Sequence, residues 1–434
     1  MRAPARRIGI LAGGGSLPRE VAECAAKRGH AVHILAIEGE AERDFGSVPV
    51  TSVGWGEIHR MIRVLRAARA TELVIVGRVL RPDLLRIRKD LGFVLALPAI
   101  LSIVASGGDD SVLRVVVRFF ESKGFRVVGP CDVAPELVIE AGPMGRAAPE
   151  GADVSDIARG FDVVRALGAH DMGQSVVVTN GAVEAVEGAE GTDGMLERVA
   201  AARRGAREPR RGVLVKRTKP GQELRVDMPA IGPETVARVA AAGLKGVAVE
   251  AGRALAARRA ELIERADAAS VFAAGWEDAS GNGAAAPVTQ VLSVPRLGRL
   301  GAVAPRARDR ADIGKGAATL TALSPFKVGR AAVVTRRHVL GVETGEGLAA
   351  LLSRVSRLRQ WGDGPAHRRV GVAVIADARD VDGAAVAAAA AAGLRGVAVI
   401  GDGASGDRMR EAIELADRTG LFIVAPCGRR GEAV

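Results

Sequence analysis

Aromatic side chains are scarce in this chain of 434 residues, with nine Phe, three Trp and no Tyr. The core must therefore be built from small and β-branched side chains. Recognition of a base or sugar must rest on backbone groups, carboxylates, amides and arginines rather than ring stacking. Cysteine is equally sparse: Cys24, Cys131 and Cys427 are odd in number, far apart and free of any C-x-x-C spacing. That excludes a disulfide framework and a cysteine-built zinc site. Long apolar runs are missing too. The longest, residues 95–105, contains Pro98 and falls short of the roughly 20 residues a membrane-spanning helix needs. No signal peptide is expected, because Arg6 and Arg7 lead straight into a strand-like segment, and a cytoplasmic location follows by default. Basic runs interleaved with aromatics are also lacking, which argues against nucleic acid as a partner.

What is present begins with charge. The formal net charge is +11, with arginines scattered and small clusters at Arg203-Arg204, Arg210-Arg211 and Arg336-Arg337. Such a surface is either simply solvated or weakly drawn to anionic lipid, which allows a peripheral contact with the inner membrane. The length suggests two to four domains.

The first part reads as alternating strands and helices. Residues 8–11, 31–36 and 73–76 are short buried strands, and residues 19–28 and 56–70 are helical. This βαβ alternation predicts a parallel sheet covered by helices, with ligands beyond the carboxyl ends of the strands. Those ends carry Gly13-Gly14-Gly15-Ser16-Leu17-Pro18 and the segment Gly77-Arg78-Val79-Leu80-Arg81-Pro82-Asp83. The expected fold is thus α/β: an N-terminal Rossmann-like parallel-sheet domain (residues 1–140), then two copies of an α/β domain (150–276 and 288–434) joined by a linker at 277–287.

The second copy is read from an internal repeat. Sliding the chain by 156 positions aligns residues 166–200 with 322–356 without a gap, and 14 of the 35 pairs are identical. Gly173 meets Gly329, Glu190-Gly191 meets Glu346-Gly347, and Arg198 meets Arg354. Further on the offset falls to 150, where Ala241-Ala242-Gly243-Leu244 meets Ala391-Ala392-Gly393-Leu394, so about six residues are lost in between. Two copies of this size are a duplicated domain rather than a solenoid.

Several motifs offer chemistry. The glycine-rich turn at 13–16 can present backbone N–H groups of Gly14 and Gly15, with Ser16, to an anion at a helix N-terminus. It is neither G-x-G-x-x-G nor a P-loop, and a plain strand–helix turn reads equally well. Asp109 and Asp110 precede a helix, either as a cap or with Asp110 and Arg114 facing a polar ligand one turn apart. Glu190 and Asp193 sit in a loop leading into a helix. Thr192 or Asp193 is then a cap, or the two carboxylates hold a divalent cation. The richest stretch runs from Lys216 to Gly232. Pro220 and Pro229 stiffen it, and Lys219, Gln222, Arg225 and Asp227 bring phosphate-binding cations, an amide and a carboxylate together. Asp227 is suited to bind Mg²⁺ or orient water; a charged surface loop is the plainer alternative.

With these motifs in hand, the sequence resembles the LpxI family of UDP-2,3-diacylglucosamine pyrophosphatases over residues 7–275. The resemblance rests on Gly9-Ile10-Leu11-Ala12-Gly13-Gly14-Gly15-Ser16-Leu17-Pro18, Arg81-Pro82-Asp83, Gly108-Asp109-Asp110 with Leu113-Arg114, and Asp171-Met172-Gly173-Gln174. It rests further on Glu190-Gly191-Thr192-Asp193 with Met195-Leu196, and above all on residues 219–232. Met228 and Glu223 are mild departures, and the tail beyond Trp276 is outside the usual plan. The resemblance implies a two-domain enzyme that binds a lipid-linked UDP-sugar between its domains. It implies Mg²⁺-assisted hydrolysis to UMP and 2,3-diacylglucosamine 1-phosphate on the way to lipid A.

It makes Asp227 the catalytic residue. Gly14, Gly15, Ser16, Arg78 and Arg81 join Asp110 and Arg114 as substrate-binding residues of the first domain. Gln174, Thr192, Asp193 and Met195 are their counterparts in the second, with Lys219, Gln222 and Arg225. Asp227, Glu190 and Asp193 are the expected Mg²⁺ ligands. The apolar residues 93–104 either line an acyl groove or form a plain core helix. A non-catalytic binding or regulatory protein on the same fold is the alternative. A dinucleotide oxidoreductase is disfavoured by the missing glycine fingerprint.

Copy 2 keeps the scaffold but not the polar set: Asp171 becomes Lys327, Gln174 becomes Arg330, Thr192 becomes Leu348 and Asp193 becomes Ala349. Asp377 falls opposite Asp227 at the offset of 150, without its phosphate-binding neighbours. Copy 2 is therefore expected to be folded and inert, and the chain a homo-oligomer or a pseudo-dimer.

Overall fold

The computed structural model describes residues 5–42, 44–78, 90, 109–168, 170, 172–204, 209–278, 297–358, 369–401 and 406–426. Arg81, Asp171, Cys427 and the apolar stretch 93–104 lie outside the described residues. The chain packs as two compact units: residues 1–148, 221–237 and 249–277 form one, and residues 149–220, 238–248 and 278–434 the other.

In the first unit, β1 (Arg7–Ala12), β2 (Ala31–Ile37), β3 (Val50–Val53), β4 (Glu72–Val76) and β5 (Arg126–Val127) form a sheet in the order β3-β2-β1-β4-β5. Every pairing in it is parallel. Residues 8–12 of β1 are all buried, as a parallel strand covered on both faces must be. Ile8 and Ile10 pack with Val21, Ala22 and Ala25 of α1 (Leu17–Lys27) on one face. On the other, Leu11 packs with Met61 and Leu65 of α2 (Ile58–Ala67) and with Val117 and Phe120 of α3 (Asp109–Ser122). Gly9 faces Leu65, whose side chain lies 2.2 Å from where a Cβ would stand. The strand order reverses at β1, with β2 on one side and β4 on the other, which is where such sheets place their ligand crevice. β3 was not expected from sequence: it is a four-residue edge strand of which only Val53 is buried.

Copy 1 and copy 2 have the same plan. In copy 1, β6 (Gly142–Pro143) is followed by α4 (Ala152–Gly168), β7 (Ser175–Thr179), β8 (Ala182–Val186) and α5 (Gly191–Ala202). Then come β9 (Val213–Lys216), a short pair β10 (Ala230–Ile231) and β12 (Leu255–Ala256) around α6 (Pro233–Ala241) and β11 (Gly246–Glu250), and finally α7 (Arg259–Ala269) and β13 (Phe272–Trp276). Copy 2 runs β14 (Leu297–Arg299), α8 (Ala307–Leu323), β15 (Ala331–Thr335), β16 (His338–Val342), α9 (Leu348–Leu358) and β17 (Val372–Ile375). It closes with α10 (Gly383–Ala391), β18 (Gly396–Val399), α11 (Asp407–Thr419) and β19 (Phe422–Pro426). The sheet orders are β6-β13-β11-β9-β7-β8 and β14-β19-β18-β17-β15-β16, which correspond strand for strand.

The correspondence extends to irregularities. The β7–β8 hairpin slips register between Val177 and Val178, and β15–β16 slips between Val333 and Val334. In each copy a buried helix aspartate accepts two N–H bonds from the hairpin turn: Asp156 from Asn180 and Gly181 at 2.9 and 2.6 Å, Asp312 from Arg336 and Arg337 at 3.1 and 2.6 Å. A glycine lets helix meet sheet closely in both, with a Cβ at Gly160 or Gly316 falling 2.5 Å from Val215 or Val374.

One connection differs. Residues 217–232 link β9 to α6 in copy 1, whereas only residues 376–382 link β17 to α10 in copy 2. The loss is larger than the repeat offset suggests, because the connection from α9 to β17 is longer than that from α5 to β9.

Candidate active site

Candidate site residues occur in each of the two units. In the first unit the ends of β1 and β4 are tied together. Gly14 N donates to the Arg78 carbonyl at 2.7 Å and Arg78 N to the Gly14 carbonyl at 2.8 Å. A Cβ at Gly13 would stand 2.4 Å from the Arg78 carbonyl oxygen, so the glycines at this turn serve close backbone approach. Gly14 therefore offers no N–H to a ligand, contrary to the sequence expectation. Gly15, at φ +90°, and Ser16, whose side chain makes no capping bond to α1, remain at the helix entrance. Arg78 is exposed. Asp110 lies in the first turn of α3 and Arg114 one turn on, exposed.

The loop carrying Asp227 is anchored by its apolar residues. Val226 packs against the core beneath α2 and α3, and Met228 against the core beneath α1. Asp227 stands between these two anchors. Buried Gln222 donates from Nε2 to the Asp227 carboxylate at 2.6 Å and to its carbonyl at 2.9 Å. An amide donor leaves the carboxylate its charge and its remaining lone pairs. Arg225 is differently placed than expected. It grips Glu223 with Nε and Nη2 at 2.8 and 2.7 Å and reaches Glu121 at 2.8 Å. The Arg225 guanidinium pulls the Glu223 carboxyl below its ordinary range, and the charge of Arg114 adds to the effect. Arg225 thus organises an ion-pair cluster with Arg114 nearby, rather than presenting an unpaired fork for phosphate.

In the second unit a carboxylate that the sequence reading left out of the site is central. Glu187, buried at the end of β8, accepts from Gln174 N at 3.2 Å and from the Thr192 hydroxyl at 3.1 Å. Thr192 also meets Ser175 at 3.0 Å. Gly173 lies so close to Glu187 that a Cβ would be 2.5 Å from it. Gln174 keeps a buried side-chain oxygen with no partner among the described residues, a polar atom poised for a ligand. The signal for Glu187 was available: its counterpart Glu343 survives at the same offset. Lys219 is half-buried where its loop crosses the end of α4, with Pro220 Cδ 2.5 Å from where a Cβ of Gly168 would be. Arg217, in the same stretch, is buried in an ion pair with Asp278 at 3.0 Å. Met195, expected at the substrate, is fully buried in the core under α5, where its side chain fills space. Thr192 lies inside α5, one residue past Gly191, and so is not its cap.

The expected set of Mg²⁺ ligands does not stand free. Glu190 is paired with Arg198 at 3.1 Å and Arg354 at 3.0 Å, and Asp193 with Arg238 at 3.2 Å. Among the described residues no group of three or more His, Cys, Asp or Glu side chains is placed to hold a metal. Mg²⁺ is commonly held by one or two carboxylates plus substrate phosphates, and Asp227 fits that smaller role.

The copy-2 counterpart is closed. Arg379 binds Asp377 through its backbone N–H at 2.9 Å and its guanidinium at 3.0 Å, and holds that carboxyl down to about 2. Asp377 lies two residues beyond β17, a position matching Thr218 rather than Asp227 when the strands are superposed in order. The shortened connection leaves no room for a counterpart of the Lys219–Asp227 stretch.

Comparison with known proteins identifies the domains. The sequence model of the LpxI N-terminal domain matches residues 7–137, and that of the LpxI C-terminal domain matches twice, at 140–274 and 296–424. The UDP-2,3-diacylglucosamine pyrophosphatase LpxI of Caulobacter vibrioides (strain ATCC 19089 / CIP 103742 / CB 15) is 40% identical over 273 residues, which cover 62% of this chain and 97% of the relative. The two domain models, which together match most of the chain, and the 40% identical relative make this chain a member of the LpxI family.

Proposed function

We propose that this chain hydrolyses the pyrophosphate of UDP-2,3-diacylglucosamine to UMP and 2,3-diacylglucosamine 1-phosphate, a step of lipid A biosynthesis. Membership of the LpxI family and the name of its 40% identical relative support the substrate. The observation that carries the chemistry is Asp227, held by the Gln222 amide between two apolar anchors in the one copy that keeps this loop.

Pyrophosphate hydrolysis needs a positioned water and neutralised phosphate charge. Asp227 accepts a hydrogen bond from the attacking water and orients its oxygen toward phosphorus. One phosphoanhydride bond breaks as the new P–O bond forms, and the water's protons end on the products and solvent. Lys219 supplies positive charge to the phosphates, while Gln174 and Thr192, set by Glu187, bind the substrate's polar groups. Gly15, Ser16 and Arg78 take a further polar part of the substrate at the switch point. Mg²⁺, when bound, neutralises developing charge on the phosphate oxygens, and Asp227 would hold it together with those oxygens.

The acyl chains call for a lipid surface. No helix among the described residues is long and apolar enough to cross a membrane, and the net charge of +11 favours a peripheral contact with anionic lipid at the cytoplasmic face. The test is UMP release from detergent-dispersed UDP-2,3-diacylglucosamine with Mg²⁺. Turnover that stops with EDTA and returns with Mg²⁺ or Mn²⁺ is expected. Substrate binding without UMP release under any of these conditions would favour a non-catalytic role.

A further inference from the structure

Copy 2 meets copy 1 through contacts that repeat in both directions. Arg198 of α5 donates from Nη2 to Glu190 at 3.1 Å and to the Val186 carbonyl at 3.1 Å. Arg354 of α9 does the same with Glu346 and, at 3.2 Å, with the Val342 carbonyl. Each arginine then crosses to the other copy: Arg198 Nη1 to Glu346 at 3.0 Å, and Arg354 Nη1 to Glu190 at 3.0 Å. Two carboxylates and two guanidiniums alternate in a closed ring, with exposures of only 9–18%.

A second contact between the copies involves Arg159. Arg159 donates to the Phe326 carbonyl at 3.2 Å and lies 5.7 Å from its ring centroid. At the matching positions, Lys315 lies near enough to His170 for its charge to reinforce the downward pKa shift caused mainly by burial. Gly188 and Ala189 add a contact outside the repeat, since the counterpart Gly345 N donates to Glu343 within copy 2. Ala189 N donates to the Leu340 carbonyl at 3.0 Å, and a Cβ at Gly188 would stand 2.6 Å from that oxygen. Contacts of residue i with j, and of the copy of i with the copy of j, define an isologous interface. Here the two halves of that interface belong to one chain.

We infer that copy 2 is a built-in symmetric partner of copy 1, and that Arg354 with Glu346 acts as a positioning pair for the copy-1 turn at Glu190. That turn leads directly into Thr192, whose hydroxyl is held by Glu187. Glu190, half-buried and gripped from both copies, fixes where α5 begins and so where Thr192 and Asp193 face. Removing one guanidinium from so enclosed a ring leaves two carboxylates sharing a single countercharge, which is costly where water has little access. Copy 2 thus contributes to the reaction through its surface, while its own polar loop is gone. The catalytic half of this inference rests on the pyrophosphatase reading; the docking half does not.

The experiment uses the full chain. Melting temperatures are measured for Arg198→Met, Glu346→Gln and their double variant. The double variant should fall short of the summed losses by about 2–4 °C, because the cross-copy pair is lost only once. Additive losses would overturn the docking. UMP-release kinetics are then measured for Arg354→Met and Arg354→Lys. The Met variant should raise KM about tenfold with kcat nearly unchanged, the sign of lost binding geometry, and the Lys variant should recover part of it. Coupled melting with wild-type KM in Arg354→Met would overturn the positioning role. The melting cycle needs no substrate. A wild-type chain that releases no UMP would therefore fail the pyrophosphatase reading while the coupling still decides the docking.

Discussion

At the middle of the polar loop, Val226 and Met228 enter two apolar cores and Gln222 clasps the carboxylate between them. Gln222→Ala is therefore expected to lower kcat for UMP release by about tenfold while leaving the melting temperature within about 2 °C, since the two hydrogen bonds lost to Asp227 belong to the site loop rather than to an apolar core. An unchanged kcat would show that Asp227 needs no such clasp. His170 offers a pH test. Burial, and then the nearby Lys315 charge, hold its pKa below the ordinary 6.5. The unfolded chain binds that proton more readily, so stability is lost as pH falls from 6.5 toward the lowered value. Melting temperature should drop less between pH 7.5 and 5.5 in His170→Gln than in the wild type; equal drops would discount the residue. At this scale sequence could name residue types but not their partners. The loop's Lys-Pro-x-Gln and Asp227 stood out because unlike polar groups crowd a short stretch. The clasp of Arg225 by Glu223 and Glu121 depends on α3 lying alongside, which no local pattern encodes. Met195 looked like a site residue by its place in a polar motif, yet helical phase turns it into the core.

Elements were more legible than their joints. The βαβ alternation, the glycine turn and the repeat all follow from hydrophobic period and turn chemistry, and the strands of both copies fall where the valine-rich runs stand. What the repeat offset obscured was the connection after the third strand of each copy, because a longer preceding loop partly cancels the deletion. The hairpins show how a scaffold outlives its sequence. In copy 1, Asn180-Gly181 occupies the turn at φ +51° and +75°, as a two-residue hairpin of this kind prefers. In copy 2, Arg336 and Arg337 occupy it at φ +48° and +66°, held by buried Asp312. Side chains with a Cβ are disfavoured there by roughly 1 kcal/mol each. The double change Arg336→Asn with Arg337→Gly should raise the melting temperature by a few degrees. A lower melting temperature would mean that the arginines contribute more through their side chains than they lose through their backbone.

Across the whole molecule, duplication has separated scaffold from chemistry. Copy 2 keeps the strand order, the register slip, the aspartate-tethered turn and the ion pair from the N-terminal end of its first helix, where Asp309–Arg395 stands for Asp153–Lys245. It lacks the loop that carries Asp227, and its Asp377 is locked by Arg379. On the proposed reading, one chain holds one competent copy and one supporting copy. The most direct measurement is UMP release from UDP-2,3-diacylglucosamine by the full-length wild type, Asp227→Ala and Asp377→Ala, side by side and at matched melting temperature. Asp227→Ala should lose at least about a hundredfold in turnover, the order expected when a group that organises the reacting centre is removed, and Asp377→Ala should keep the wild-type rate. Turnover that survives in Asp227→Ala, or disappears in Asp377→Ala, would contradict the assignment of the chemistry to copy 1.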